Sequence, residues 1–146
     1  MSIEPARDRS LDSLHPLFLH PLNAWLAAAT EAVPHVAFRV TETRRSLDRQ
    51  RWLFAQGREA PHLNSPRVTW TLDSRHRWGL AADIAMIRKS TGDAIWEVSS
   101  WRWLYRTIPV EPFGLRHLAP KEFVHLEARY ADEAIGEAGV LDLTQS

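Results

Sequence analysis

The stretch Ser74-Arg75-His76-Arg77-Trp78-Gly79-Leu80-Ala81-Ala82-Asp83 connects a histidine to a carboxylate through a turn and the start of an apolar run. The run extends over residues 80–87 and is interrupted only by Asp83, which predicts a central β-strand. A carboxylate inside such a strand is buried at considerable cost unless a cation or several donors meet it. Gly79 permits a tight turn or a close backbone approach, so His76 and Asp83 can converge.

A second motif, Glu122-Phe123-Val124-His125-Leu126-Glu127, places another histidine in an apolar strand. Two imidazoles and one carboxylate leave the fourth tetrahedral position of Zn²⁺ open for water, which distinguishes catalytic from structural zinc. A carboxylate three residues before the last histidine is suited to take the proton of that water. His76, Asp83 and His125 are therefore candidate ligands of one zinc ion, and Glu122 is the candidate base.

Each of these residues also has a purely structural interpretation. The Asp83 carboxylate can lie on the solvent face of its strand or pair with Arg39 or Arg45. A single histidine in a core or on a surface is more often a satisfied polar residue than a metal ligand. The combination of three such residues in these contexts favours the metal site.

The composition limits the class of protein. The chain has 146 residues, of which 45% are hydrophobic, so we expect one domain over residues 1–146. Its formal net charge of zero argues against a nucleic-acid or anionic-membrane partner, and the absence of cysteine restricts a metal to nitrogen and oxygen ligands. No run of about 18 apolar residues predicts a membrane segment, and no signal peptide is recognised, so we expect synthesis in the cytoplasm.

Apolar periodicity predicts an α+β domain, with an antiparallel sheet flanked by helices on one side. Ser46 is a plausible N-cap and Gly57 a plausible stop for the second helix. Helices are expected over residues 21–32, 46–56, 96–107 and 131–138, strands over 36–41, 80–87 and 123–128, and an irregular loop over 58–75 with a possible short strand at 68–70.

The motifs together carry a family resemblance. Ser-x-His-x-x-Gly-x-Ala-x-Asp (residues 74–83), followed by Glu-x-x-His-x-Glu (residues 122–127), resembles the VanY-like zinc peptidases, which include D-Ala-D-Ala carboxypeptidases and L-alanyl-D-glutamate endopeptidases. Arg45-Ser46-x-x-x-Gln50 and Gln56-Gly57-Arg58 match upstream. The resemblance covers residues 11–128 and implies the hedgehog/DD-peptidase fold, with a catalytic core at about 36–128 and an N-terminal helical segment at about 11–33.

The resemblance also implies roles for individual residues. Arg45 would steady the substrate carbonyl or the developing oxyanion as a fixed electrostatic donor. His76, Asp83 and His125 would bind one Zn²⁺, and Glu122 would act as the base. The implied substrate contacts are Ser74, Gln50 and Trp78.

The matching elements are most similar to the short endopeptidases of bacteriophage endolysins. This similarity implies cleavage of the L-Ala/D-Glu bond of the peptidoglycan stem peptide, action on the cell wall after release through a holin, and a monomeric protein. The alternative enzyme is a D-Ala-D-Ala carboxypeptidase or dipeptidase. The alternative from another class is a binding module that keeps the fold without catalysis.

Other residues carry weaker signals. Trp78 and either Trp101 or Trp103 are candidate walls of a cleft, although core packing is the commoner role of tryptophan. A basic cluster is compatible equally with attraction of an acidic peptide and with a solvated helix face: Arg39, Arg44, Arg45, Arg49 and Arg51. The remaining histidines are expected on the surface or in packing, with His117 the one closest to the cleft: His15, His20, His35, His62 and His117.

Overall fold

The computed structural model describes residues 3–69 and 74–129, and a four-stranded antiparallel sheet lies at its centre. The strands are β1 (Val36–Glu42), β2 (Ala81–Arg88), β3 (Leu115–Leu118) and β4 (Glu122–Ala128), in the spatial order β1-β2-β4-β3. The strand predicted over residues 80–87 is therefore interior, as expected, with β1 on one side and β4 on the other.

Three α-helices accompany the sheet: α1 (Pro16–Ala32), α2 (Leu47–Ala55) and α3 (Val98–Thr107). The α+β class is confirmed. Ser46 caps α2 as predicted, because its hydroxyl oxygen accepts a hydrogen bond from the Arg49 backbone N–H at 3.1 Å. Short 3₁₀ helices, which the periodicity did not predict, lie at Leu11–Ser13, Arg75–Trp78 and Glu111–Phe113.

Helix α1 begins at Pro16, so the start predicted at residue 21 is wrong. His15 caps the helix through its Nδ1 atom, and Pro16 occupies the first helical position, where its missing N–H costs no hydrogen bond. Pro21 lies inside the helix, a position that costs about 3 kcal/mol in a helix interior. Burial of Phe18 contributes roughly 1.5–3 kcal/mol and the cap about 1 kcal/mol, which together offset that cost.

The two faces of β2 have different roles. Side chains alternate along the strand, so Ala82, Ile84 and Met86 share one face and Asp83 lies on the other. The first face joins the hydrophobic core with Trp25 of α1. Trp101 and Leu104 of α3 also belong to this core. The opposite face, which we call the site face, carries Asp83 and its neighbours on β4.

Gly79, in the turn before β2, lies against the backbone of residues 13–15. This is the close backbone approach that the sequence predicted at this glycine. Its φ of 69° is in the left-handed region, and its carbonyl accepts a hydrogen bond from the His15 backbone N–H at 2.9 Å. A Cβ at this position would lie 2.8 Å from the Ser13 carbonyl oxygen. Any other residue would therefore push the backbone of residues 13–15 away from the turn that precedes β2.

Some predicted elements differ from the structure. Strand β3 was not predicted, because four residues ending shortly before Pro120 carry little periodic signal. Val68 and Thr69 form no strand, while residue 70 and the helix predicted over residues 131–138 lie outside the described residues. Among residues 3–69 and 74–129, no helix combines the length and apolar character needed to cross a membrane.

Candidate metal centre

The three predicted ligands converge on the site face. Asp83 of β2 is the direct cross-strand partner of His125 in β4. His76 reaches the same point from the 3₁₀ helix Arg75–Trp78 that precedes β2. One potential ligand atom from each residue lies within 4.8 Å of the others. The structure thus brings together an imidazole, a carboxylate and a second imidazole.

The backbone fixes which nitrogen of His76 faces the cluster. Its Nδ1 lies 2.8 Å from the Thr43 carbonyl oxygen, and a carbonyl only accepts hydrogen bonds, so Nδ1 carries the proton. The lone pair is then on Nε2, which lies 3.3 Å from Asp83 Oδ1. The Ser74 hydroxyl oxygen accepts a hydrogen bond from the His76 backbone N–H at 3.2 Å and sets the start of the 3₁₀ helix.

A carboxylate orients His125 in the same way. The His125 Nε2 atom donates to Glu127 Oε1 at 2.8 Å, which leaves Nδ1 facing Asp83 Oδ1 at 3.7 Å. Glu127 is 3% exposed and is held in turn by the Arg116 guanidinium. Metal-binding histidines usually donate their second nitrogen to a carboxylate or a carbonyl. Both imidazoles therefore present one free nitrogen from a fixed ring orientation.

The donor set fits a metal ion. His76 Nε2 and Asp83 Oδ1 are buried, and neither atom has a hydrogen-bond partner within residues 3–69 and 74–129. Buried polar atoms in proteins are nearly always paired, because leaving them unsatisfied costs free energy. Two imidazole nitrogens and one carboxylate oxygen are ligands that Zn²⁺ accepts in catalytic sites. A bound cation would satisfy both orphaned atoms at once.

The protonation of the metal-free cluster reflects its internal charges. Burial by itself would raise the pKa of Asp83, but the positive charge of the adjacent imidazoles of His76 and His125 in their protonated form holds that pKa well below its usual range. Burial would lower the pKa of His125, whereas the neighbouring carboxylates of Asp83 and Glu127 raise it to about 9. Without metal, a proton on His125 therefore balances the Asp83 charge.

Arg45 lies beside the metal ligands and is held rigidly. Its Nη2 lies 3.7 Å from Asp83 Oδ2, so the ion pair considered as an alternative for Asp83 coexists with the ligand cluster. Its Nη2 donates to Glu42 Oε1 at 2.8 Å, and its Nη1 donates to Gln50 Oε1 at 3.0 Å. The backbone N–H of Arg45 also donates to the His76 carbonyl at 2.8 Å. Side chain and backbone are therefore both fixed relative to the cluster.

Glu42, at the end of β1, joins two arginines. Its other carboxylate oxygen accepts a hydrogen bond from Arg49 Nε. Arg49 is 2% exposed, so this member of the basic cluster is a buried structural cation and does not lie on a solvated face. Burial would raise the pKa of Glu42, but Arg45 and Arg49 lower it below its ordinary value. The carboxylate therefore stays ionised between them.

Glu122 and Arg45 share a cavity with the ligands. A cavity of about 250 Å³ is lined by both residues together with His76, His125 and Ser74. An adjoining cavity of about 430 Å³ is also lined by Arg45 and Glu122, and by Asp83. A molecule in either cavity would meet the predicted base and the predicted electrostatic donor.

Two residues expected at the substrate lie behind or beside these cavities. Gln50 is fully buried, and its amide nitrogen donates to the Thr69 hydroxyl at 3.1 Å. Gln50 therefore lies behind Arg45 and orients the Arg45 guanidinium. Trp78 packs against the hydrophobic core with the Arg77 guanidinium 5.0 Å from its ring, and it is not among the residues that line either cavity.

The other aromatic candidates lie elsewhere. Trp101 is 2% exposed and belongs to the hydrophobic core, and its indole N–H donates to the Ile95 carbonyl at 3.0 Å. The prediction that it forms a cleft wall is therefore wrong. Trp103 lines a separate cavity beside Met86, on the core face of β2. His117 stacks on Tyr105 at 4.3 Å between ring centroids, a packing role.

Several residues of the site had no role in the sequence interpretation. Glu127 was visible as the last letter of Glu-x-x-His-x-Glu, and its spacing of two from His125 signals the same face of a strand. Glu42 and Thr43 gave no comparable signal, because their contacts depend on how β1 pairs with β2. Arg116 lies on the unpredicted strand β3.

Comparison with known proteins supports the fold. No protein-family model matches the chain, and no curated protein matches it in sequence. The L-Ala D-Glu endopeptidase ChiX of Serratia marcescens has a similar structure, with a TM-score of 0.60, 22% identity, and coverage of 88% of this chain and 92% of ChiX. The LD-carboxypeptidase LdcB has a TM-score of 0.56 and 20% identity, with coverage of 85% of this chain and 64% of LdcB. The chain therefore has the fold that ChiX and LdcB share, as its motifs predicted.

Proposed function

We propose that the chain is a zinc-dependent peptidase that hydrolyses the L-Ala/D-Glu amide bond of the peptidoglycan stem peptide. The observation that carries this proposal is the convergence of His76, Asp83 and His125, with Glu122 and Arg45 lining the same cavity. The motif resemblance and the likeness in fold to ChiX support the choice of bond. Three protein ligands leave one coordination position for water, as a hydrolytic site requires.

Bound zinc supplies Lewis-acid chemistry, which acidifies water and polarises a carbonyl oxygen. The Glu122 carboxylate accepts one proton from the attacking water, whose oxygen forms a bond to the amide carbon. When the carbon–nitrogen bond breaks, Glu122 passes that proton to the leaving amine and returns to its ionised state. The second proton of the water also passes to the amine, so the products are a carboxylate and a protonated amine, and no covalent enzyme intermediate forms.

Arg45 stabilises the negative charge that develops on the carbonyl oxygen. A donor is most effective when it is already oriented, because no reorganisation is then needed during the reaction. Glu42 and Gln50 hold the Arg45 guanidinium from behind at 2.8–3.0 Å. Gln50 therefore acts on the substrate through Arg45.

Mass spectrometry of digested peptidoglycan tests the proposal. Purified walls are incubated with the zinc-loaded protein, with the same protein after chelation, and with zinc-loaded Glu122→Gln as the matched inactive control. We expect new ends at the L-Ala/D-Glu bond in the first sample alone. Loss of terminal D-Ala instead would identify a carboxypeptidase, and unchanged peptides in all samples would favour a binding module.

The biological setting stays a prediction from the sequence. An endolysin role requires that the protein lyse a producing cell once a holin opens the membrane. Co-expression with and without a holin, followed by culture turbidity, tests this role. The monomeric state is tested separately by light scattering of the purified protein.

A further inference from the structure

Hydrogen bonds hold residues 4–8 beside the candidate metal centre. Arg49 Nη1 donates to Glu4 Oε1 at 2.8 Å and to the Pro5 carbonyl at 3.0 Å. At the other end of this segment, the Thr43 backbone N–H donates to the Asp8 carbonyl at 2.8 Å. Residues 4–8, which we call the N-terminal segment, are thus tied to the same Arg49 and Thr43 that support Glu42 and His76.

Arg7 lies between these two attachments in the chain. It lines the cavity of about 430 Å³ that Arg45, Asp83 and Glu122 also line. This volume is within the range of roughly 300–1,000 Å³ that is usual for small-molecule sites. A substrate residue in this cavity would therefore meet the predicted catalytic groups on one side and Arg7 on another.

The three arginines that line this cavity differ in whether their guanidinium groups have partners within the protein. Arg45 is bound to Glu42 and Gln50, and Arg49 is bound to Glu42 and Glu4. Arg7, in contrast, makes no hydrogen bond, ion pair or ring contact with any residue in the described part of the chain. Its five N–H donors and its charge are available to a ligand.

We propose that Arg7 binds the free α-carboxylate of the substrate D-glutamate and thereby sets specificity, an inference that rests on the proposed function. In the stem peptide, D-glutamate continues the chain through its side-chain carboxyl, so its α-carboxylate is free and stands next to the scissile bond. A guanidinium matches a carboxylate in charge and in planar, two-point geometry. The N-terminal segment is then part of the substrate site.

Paired substrates isolate this contact. Two synthetic stem peptides are used, one with the D-glutamate α-carboxylate and one with the neutral α-carboxamide of the same shape. The variants are Arg7→Ala and, as the matched control, Arg9→Ala, which removes an exposed arginine two residues along that does not line the cavity. Thermal unfolding of each variant verifies that the protein remains folded.

We expect wild type to prefer the carboxylate peptide by about tenfold in kcat/KM, as a charge-assisted hydrogen bond implies. Arg7→Ala should lower kcat/KM about tenfold for the carboxylate peptide and less than about twofold for the carboxamide. Arg9→Ala should keep the preference. An equal loss on both peptides, or an intact preference in Arg7→Ala, would overturn the assignment.

A binding measurement separates this inference from the proposed function. Calorimetry with zinc-loaded Glu122→Gln compares the two peptides with and without Arg7→Ala. If wild type cleaves neither peptide, the proposed function fails, while a tenfold binding preference that disappears in Arg7→Ala would still support the carboxylate contact. Equal binding of the two peptides, or no binding of either, would overturn the contact itself.

Discussion

Asp83 in β2 lies directly opposite His125 in β4, and this one pairing brings together ligands that are 42 positions apart in the chain. Side chains alternate along a strand, so a shift of either strand by one residue would move its ligand to the core face. The core residues Ala82 and Leu126, which pair at the next position, hold this register by their burial. Hydrophobic packing on one face of the sheet thus positions the metal ligands on the other.

Replacing Glu122 by Gln should remove catalysis without removing metal. The carboxamide cannot accept the proton, while all three ligand side chains are unchanged. We expect kcat/KM on a stem peptide to fall by roughly 10²–10⁴-fold. Steady-state kinetics of the zinc-loaded variant measures this loss, and activity within about threefold of wild type would show that another group acts as the base.

Replacing Glu127 by Gln should weaken zinc binding even though Glu127 is not itself a ligand. The neutral amide orients His125 less strongly and lowers its basicity, an effect that typically costs 10–100-fold in metal affinity. Competition with a zinc chelator of known affinity measures the change. Glu97→Gln, which alters an exposed carboxylate before α3, is the control, and equal zinc affinity in the two variants would contradict the supporting role of Glu127.

Zinc binding should release a proton near neutral pH. The pKa of about 9 for His125 means that the metal-free protein carries that proton at pH 7, whereas a ligand nitrogen must be unprotonated. Apparent zinc affinity should therefore rise about tenfold per pH unit as the pH rises from 7 toward 9. Calorimetric titration in two buffers of different ionisation enthalpy detects the released proton. Identical binding enthalpies in both buffers would rule it out.

Replacing Glu42 by Gln should destabilise the fold at pH 7. The change removes the buried carboxylate that pairs with Arg49, which is 2% exposed and then keeps only the Glu4 carboxylate as an ionic partner. Breaking a buried pair costs up to about 3–5 kcal/mol. Urea unfolding measures the free energy of unfolding, with the exposed Glu59→Gln as control. A loss no greater than in Glu59→Gln would contradict the buried network.

The same carboxylate should give the metal-free wild type a characteristic acid sensitivity. Because the pKa of Glu42 is lowered from 4.5 in the folded state, its contribution is fully present above pH 4.5 and is lost as the pH falls through the folded pKa. Glu42→Gln should lack this part of the decline. Urea midpoints from pH 7 down to pH 3 test the difference, and parallel curves for both proteins would contradict it.

The sequence predicted the features that depend on neighbours along the chain. Asp83 was recognisable because it interrupts an apolar run, and Ser46 because capping residues precede helices. The start of α1 was misplaced because proline propensity was weighed without the His15 cap or the burial of Phe18. The family resemblance supplied Arg45, and the structure now shows how that residue is held.

Contacts that depend on how the strands pair, or on how distant segments pack, could not be predicted from neighbouring residues in the sequence. Glu42 contacts Arg45 and Arg49 just after a register shift between Val40 and Glu42, where β1 pairs with β2. Arg7 is separated from Glu122 by most of the chain, and only folding brings both to one cavity. Such contacts follow from tertiary packing and leave no periodic signal.

We predict that His76, Asp83 and His125 form one catalytic zinc centre. The most direct measurement is the zinc content per chain, by mass spectrometry of the element after dialysis, in wild type, in Glu122→Gln and in alanine variants of each ligand. We expect about one zinc per chain in the first two proteins and almost none in the ligand variants. Full zinc content in any ligand variant, together with wild-type hydrolysis of the stem peptide, would contradict the claim.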